Sequence, residues 1–350
     1  PCKMHLLSLL SLGIVPSIAL GATSANLLIA GQHVIYSYAG LTPPTSLLTA
    51  ISAGQAAGVI FFKDNIGTDI ASVIASLKKA NEASPLGLPL LLMTDQEGGE
   101  VRRLSGEPVQ SAKTMCADNG SAAGGTGAGE NLASVGMNVN LTPVLDVYRV
   151  PGDFEDQFER SFSDDPTLAG ECGASFITAQ QATGVASTAK HFPGLGAASA
   201  DANTDLEPVT LDLSASEIQS IDELPYYSAI AAGVPLVMLS WAVYPSIDTV
   251  PSGLSFQMVF GELRGRLGFE GVTITDAIGA GALSAYGTDE NRAILTSAAG
   301  MDLILAAGQD ATQGASIVEA LATALDNGDL DSLLFSRGTA RLAKLRASLS

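Results

Sequence analysis

Residues 90–99 read Leu90-Leu91-Leu92-Met93-Thr94-Asp95-Gln96-Glu97-Gly98-Gly99, a short apolar run that passes directly into two carboxylates and a glycine pair. An apolar run this short, bounded by turn residues, is the pattern of a strand buried on both faces, and the charged residues mark where it emerges. The same unit recurs on either side. Eight such runs can be counted, at residues 27–30, 58–62, 90–94, 139–145, 185–190, 236–240, 272–275 and 303–306. Between them lie segments with helical spacing at 70–81, 166–183, 223–232, 256–267 and 294–299, and a last one at 316–327. Strand and helix in strict alternation predict a parallel α/β sheet. Eight strands predict that it closes as a single-domain (β/α)8 TIM-type barrel. A doubly wound sheet would show a Gly-rich phosphate turn after its first strand, and no GxGxxG opens a helix here. The small-residue stretch 120–129 reads as a loop leading into a helix.

The chain has 350 residues, 47% of them hydrophobic and 15% charged, with 37 glycines. That is the composition of a globular protein with a large core and many tight turns. Its net charge of −19, with only 17 Lys plus Arg, opposes nucleic acid and anionic membranes as partners, since both need clustered cations. Lys3, the apolar run 6–20 and the small residues 21–25 form a secretory signal pattern, with cleavage expected after Ala25. The domains are therefore a signal peptide at 1–25 and a barrel at 26–350, and the protein is expected to be secreted. The apolar run is short of the roughly 20 residues a membrane span needs. After loss of Cys2, the two cysteines Cys116 and Cys172 remain, and a disulfide between them would contribute about 4 kcal/mol in the chain-entropy model. Asn119 and Asn140 both open glycosylation sequons, but only Asn119 sits in a loop-like stretch.

A closed barrel builds its active site at the C-terminal strand ends. Polar residues stand at that position after successive runs: Asp95 to Glu97, Asp146, Lys190-His191, Ser240-Trp241 and Asp276. A single acidic residue there is most often a helix cap, and a single histidine can be a buried structural one. Several charges at successive strand ends would all be desolvated near one mouth, which points to a site.

Six segments then carry a resemblance: 94–104 (TDQEGGEVRRL), 144–147 (VLDV), 160–166 (RSFSDDP), 190–196 (KHFPGLG), 264–276 (RGRLGFEGVTITD) and 301–305 (MDLIL). In this order they resemble the signature segments of glycoside hydrolase family 3, nearest to its single-domain β-N-acetylhexosaminidases. The resemblance implies a retaining glycosidase hydrolysing O-glycosyl bonds. It implies Asp276 as the nucleophile and Asp95, Arg160, Lys190 and His191 as the residues holding the sugar before the scissile bond. It implies a β-linked glycoside as substrate, N-acetylglucosamine-containing by association, with no metal, no cofactor and a monomeric protein.

The pattern departs from the family at the proton donor. The usual Asp-x-His pair after the fifth strand is Asp201-Ala202-Asn203 here, and an amide cannot deliver a proton to a leaving oxygen. Glu100, Leu195, Trp241 and Ala277 also replace the residues the family favours. Trp241 offers an indole face on which a sugar ring could pack, or it fills the core. Two readings follow. In one, a carboxylate of the same loop, Asp201, Asp205 or Glu207, serves as general acid/base. In the other, the barrel is catalytically impaired and binds glycans. A β-glucosidase-type exo-hydrolase is the remaining relative of these. Other hydrolase classes lack their marks: there is no GxSxG, no HExxH and no P-loop.

Overall fold

The computed structural model describes residues 22–349. Eight parallel strands close into a barrel: β1 Val34–Tyr36, β2 Gly58–Ile60, β3 Leu91–Thr94, β4 Val139–Asn140, β5 Ala186–Phe192, β6 Leu236–Leu239, β7 Val272–Ala277 and β8 Leu303–Leu305. Each pairs with its sequence neighbours, and Val34 opposite Ile304 closes the ring between β1 and β8. Alternate strand residues point to one side, as the two-residue strand period requires. Ile35, Ile60, Leu91, Met93, Leu236, Met238, Val272 and Ile274 belong to one cluster, joined by Leu342 and Leu345 of the last helix, Ser332–Ser348. The intervening strand residues, among them Val34, Tyr36, Val59 and Leu92, pack with helix residues in a second cluster. Such a filled lumen is the usual core of this barrel.

Seven of the eight expected strands fall where the runs lie. The first does not. Residues 27–30 are helical, within Ser24–Gly31, and the strand is the next apolar triplet, Val34–Tyr36. A four-residue apolar run does not distinguish a strand from a buried helical turn by periodicity. Here the cap decides: the Thr23 side chain accepts from Asn26 N, and Thr23 and Asn26 both donate to Asp326. Residues 1–21 of the expected signal peptide lie outside the described residues. Its cleavage point after Ala25 falls inside this helix, beyond the capping Thr23.

The stretch read as a loop at 120–129 is the first two-thirds of a helix, Ser121–Val135. Its glycines are a packing surface against helix Pro166–Gln181 and the turn after it. A Cβ on Gly125 would sit 2.3 Å from the Phe176 carbonyl oxygen, and one on Gly129 2.1 Å from Thr183 Oγ1. Close helix approach offsets the cost of glycine in a helix. The segment at 257–266 is a helix with π-type hydrogen bonding, which the spacing did not reveal.

Cys116 and Cys172 are joined, tying helix Ala112–Ala117 to helix Pro166–Gln181. Of the two sequons, Asn119 is exposed, while Asn140 is fully buried with its carbonyl accepting from Gln96 N. Among the described residues no helix is long and apolar enough to cross a membrane.

Replacing both cysteines by serine is expected to cost about 2–4 kcal/mol of stability. Urea denaturation of the oxidised parent and the double variant, with activity followed in parallel, measures the difference.

Candidate active site

The strands that end at the C-terminal face deliver charge in a fixed order. Asp95 and Glu97 follow β3, Asp146 follows β4, Lys190 and His191 lie at the end of β5, and Asp276 lies at the end of β7. Arg160 comes from the loop after β4. These residues, apart from buried Asp146, line a cavity of about 230 Å³ whose walls also include Arg103, Glu155, Asn203 and Asp205.

One wall is a chain of alternating charges. Arg103 lies 3.5 Å from Asp95, which binds Lys190 Nζ at 2.8 Å. Lys190 reaches Glu97 at 2.7 Å, and Glu97 takes both Nε and Nη2 of Arg160, at 2.8 and 2.9 Å. Arg160 Nη1 is 2.6 Å from Glu155. Burial alone would push these groups toward neutrality, but each is flanked by opposite charge. Glu97 stays ionised because Arg160 and then Lys190 outweigh its desolvation, and its carboxyl falls well below the usual range. Asp95 is likewise lowered, against burial, by Lys190 and Arg103. Lys190 is raised, against burial, by Asp95 and Glu97.

At the far end of the wall stands His191. Its Nδ1 is 2.7 Å from Asp146, which also accepts from the backbone N–H groups of His191 and Leu195. Burial pulls the imidazole down, and Asp146, with Glu155 and Asp276 behind it, raises it above its ordinary value. The loop after β5 folds back against the loop after β4 at backbone contact. A Cβ on Gly196 would lie 2.0 Å from the Val147 carbonyl oxygen, so only glycine suits that position.

Asp276 is only partly buried, and its Oδ1 accepts from Ala277 N at 2.7 Å. Of the three acid/base candidates, Asp205 alone lines the cavity with it; Asp201 and Glu207 are exposed residues outside its walls. Asn203, in place of the expected histidine, accepts from Asp205 N at 2.9 Å and so shapes the turn that presents Asp205. The same turn is docked on the segment after β7, where Gly281 N and Ala282 N donate to the carbonyls of Asp205 and Thr204. Asp205 is exposed at the lip, yet desolvation by the cavity wall, and next the charge of Asp276, raise its carboxyl above the usual carboxylate range.

Trp241 is a correction. The ring is fully buried against Gly253 and does not reach the cavity, so it offers no face to a sugar. Its indole N–H donates to the Ala277 carbonyl at 2.9 Å, bracing the backbone beside Asp276. Arg103 and Glu155 join the site only in the structure, and Glu97, one of the strand-end charges, gains its role there as the partner of Lys190 and Arg160. Glu97 was legible as the second carboxylate of its segment, whereas Glu155 lies in a loop without pattern.

A family model described as the glycosyl hydrolase family 3 N terminal domain matches residues 40–345. The chain belongs to glycoside hydrolase family 3. It is a glycosidase that hydrolyses O-glycosyl compounds. An uncharacterized secreted glycosyl hydrolase of Arthroderma benhamiae is 46% identical over 92% of this chain and 93% of its own length. Beta-hexosaminidase A of Pseudoalteromonas piscicida is 31% identical over 88% of this chain, which spans 56% of that longer protein. Among solved structures, the beta-N-acetylhexosaminidase of Beutenbergia cavernae superposes with a TM-score of 0.82 at 29% identity, covering 94% of this chain and all of its own.

Glu97→Gln leaves Arg160 and Lys190 buried beside a neutral amide, and breaking a buried pair in this way costs about 3–5 kcal/mol. Because the Glu97 carboxyl falls far below its ordinary 4.5, its contribution is complete above about pH 4.5 and fades as pH falls below it. Urea denaturation of parent and variant at pH 7 and pH 3.5 is expected to show a stability gap that narrows in acid.

Proposed function

We propose that the protein is a secreted, retaining β-N-acetylglucosaminidase in which Asp276 is the nucleophile and Asp205 the general acid/base. The observation that carries this reading is the pairing of those two carboxyls in one small cavity. Asp276 is partly buried, and Asp205, at the lip, is raised in pKa by desolvation against the cavity wall and then by the charge of Asp276. Two carboxyls with unequal environments are what a two-step displacement requires.

Asp205, protonated, gives its proton to the glycosidic oxygen while Asp276 attacks the anomeric carbon. The C–O bond to the aglycone breaks, and a glycosyl ester on Asp276 forms. Asp205, now a carboxylate, takes a proton from water. That water attacks the anomeric carbon, the ester bond breaks, and the sugar leaves with its configuration retained. The ion-pair wall supports binding of one terminal sugar. Lone pairs of Asp95 and spare N–H groups of Lys190 and Arg160 suit hydroxyls in several directions without reorganising in the transition state. The sugar is assigned as N-acetylglucosamine from the hexosaminidase relatives, and secretion from the apolar segment 6–20 and the secreted relative.

Asp276→Asn is expected to abolish release of nitrophenol from the aryl β-N-acetylglucosaminide. Asp205→Asn is expected to lose about 10² to 10⁴ in rate on a substrate with a poor leaving group. Added azide should restore turnover in the Asp205→Ala variant by forming the β-glycosyl azide. Since the acid must be protonated, kcat/KM of the parent falls as pH rises through the raised Asp205 pKa, and that limb should disappear in Asp205→Asn. A parent that binds N-acetylglucosamine but cleaves no aryl glycoside between pH 4 and 6 would favour the binder, the reading that Asn203 in place of histidine allows.

A further inference from the structure

We infer that Glu155 is a positioning residue of the sugar subsite, fixing the third guanidinium nitrogen of Arg160 and, with Asp146, holding His191 as an imidazolium. Its role rests on the sugar-binding reading above. Glu155 is 1% exposed, in the loop after β4, and its two carboxylate oxygens accept no well-formed hydrogen bond from any described residue. One lies 2.6 Å from Arg160 Nη1 and the other 3.9 Å from His191 Nδ1. With Nε and Nη2 already on Glu97, Arg160 is thereby held at all three of its guanidinium nitrogens.

The imidazole edge carries the second consequence. Asp146 and Glu155 both approach Nδ1, at 2.7 and 3.9 Å, and both are buried. One N–H can satisfy only one of two carboxylates, and the second, shared with Arg160, favours positive charge on the ring. An imidazolium carries a proton on each nitrogen. Nε2 has no partner among the described residues, and His191 lines the cavity, so that N–H is left for a sugar oxygen as a charge-assisted donor. The charged groups around His191 are Asp146, Arg160 and Glu155 from the segment after β4, Lys190 from β5, Asp276 from β7 and Asp205 from the loop after β5. Burial opposes the charge on the ring, and Asp146, Glu155 and Asp276 outweigh it. Glu155 itself is raised by burial, against the pull of Arg160 and His191. The ring nitrogen is closer to Asp146, at 2.7 Å, than to Glu155, at 3.9 Å, and both carboxyls face the same edge of the imidazole.

Nitrogen-15 NMR of the histidine side chains in the free protein reads this without turnover. His191, assigned by loss of its signal in His191→Gln, should stay doubly protonated to higher pH than an ordinary imidazole, and its titration should move down by about one unit or more in Glu155→Gln. With aryl N-acetylglucosaminide, KM at pH 7 should rise about tenfold in that variant, the loss expected for one charge-assisted hydrogen bond, while kcat changes less than about threefold. Glu155→Asp should lie between, and it serves alone if Glu155→Gln does not fold. A His191 that titrates at the ordinary value and does not move in either variant overturns the inference, as does a variant that loses thermal stability with an unchanged KM. Absence of hydrolysis by the parent would count against the proposed activity and leave the titration to decide the role of Glu155.

Discussion

The alternating ion-pair wall from Arg103 through Asp95, Lys190, Glu97 and Arg160 to Glu155 is the constraint on which the rest of the site depends. Its members come from three neighbouring segments: Asp95, Glu97 and Arg103 after β3, Glu155 and Arg160 in the loop after β4, and Lys190 at the end of β5. The buried ones could not stay charged alone, since an isolated buried ion costs several kcal/mol. The barrel makes the wall possible by bringing the ends of β3, β4 and β5 side by side. The wall in turn fixes the floor against which a sugar would lie. A buried network of this kind adds little net stability, but it sets direction: every free lone pair or N–H it retains is pre-aimed.

β7 supplies the carboxyl proposed as nucleophile. Asp276 ends β7, whose backbone is braced by the indole of Trp241, and the loop after β5 is docked onto the segment that follows β7 through Gly281 and Ala282. Those backbone contacts carry Asp205 to the cavity lip. The loss of a histidine at 203 is thus matched by a turn in which Asn203 presents a carboxylate two residues on. In the proposed mechanism the proton donor therefore lies two residues further along the same loop.

Much of this was legible in the sequence because the barrel repeats one pattern: a short apolar run and then charge. Seven strands, helix 70–81 and the gathering of Asp95, Arg160, Lys190 and His191 around one cavity follow from it or from the family's segments. The failures have separate physical causes. Residues 27–30 are too few for a period, and their helix is decided by Thr23 and Asp326, far apart in sequence. The glycines of 121–135 suggest a flexible loop until the partner helix that needs them is seen. Trp241 could be core or platform, and only depth distinguishes the two. Glu155 has no local signal because its significance is its distance from Arg160 and His191. Choosing among Asp201, Asp205 and Glu207 likewise required knowing which side of a turn faces Asp276.

The most direct measurement is mass spectrometry of the protein after brief incubation with a 5-fluoro-N-acetylglucosaminyl fluoride, which slows hydrolysis of a covalent intermediate, followed by peptide mapping. One glycosyl adduct on the peptide carrying Asp276 is expected, lost on chasing with fresh buffer and absent from Asp276→Asn. An adduct on Asp205, or steady turnover of aryl glycosides by Asp276→Asn, would contradict the assignment of the two carboxyls.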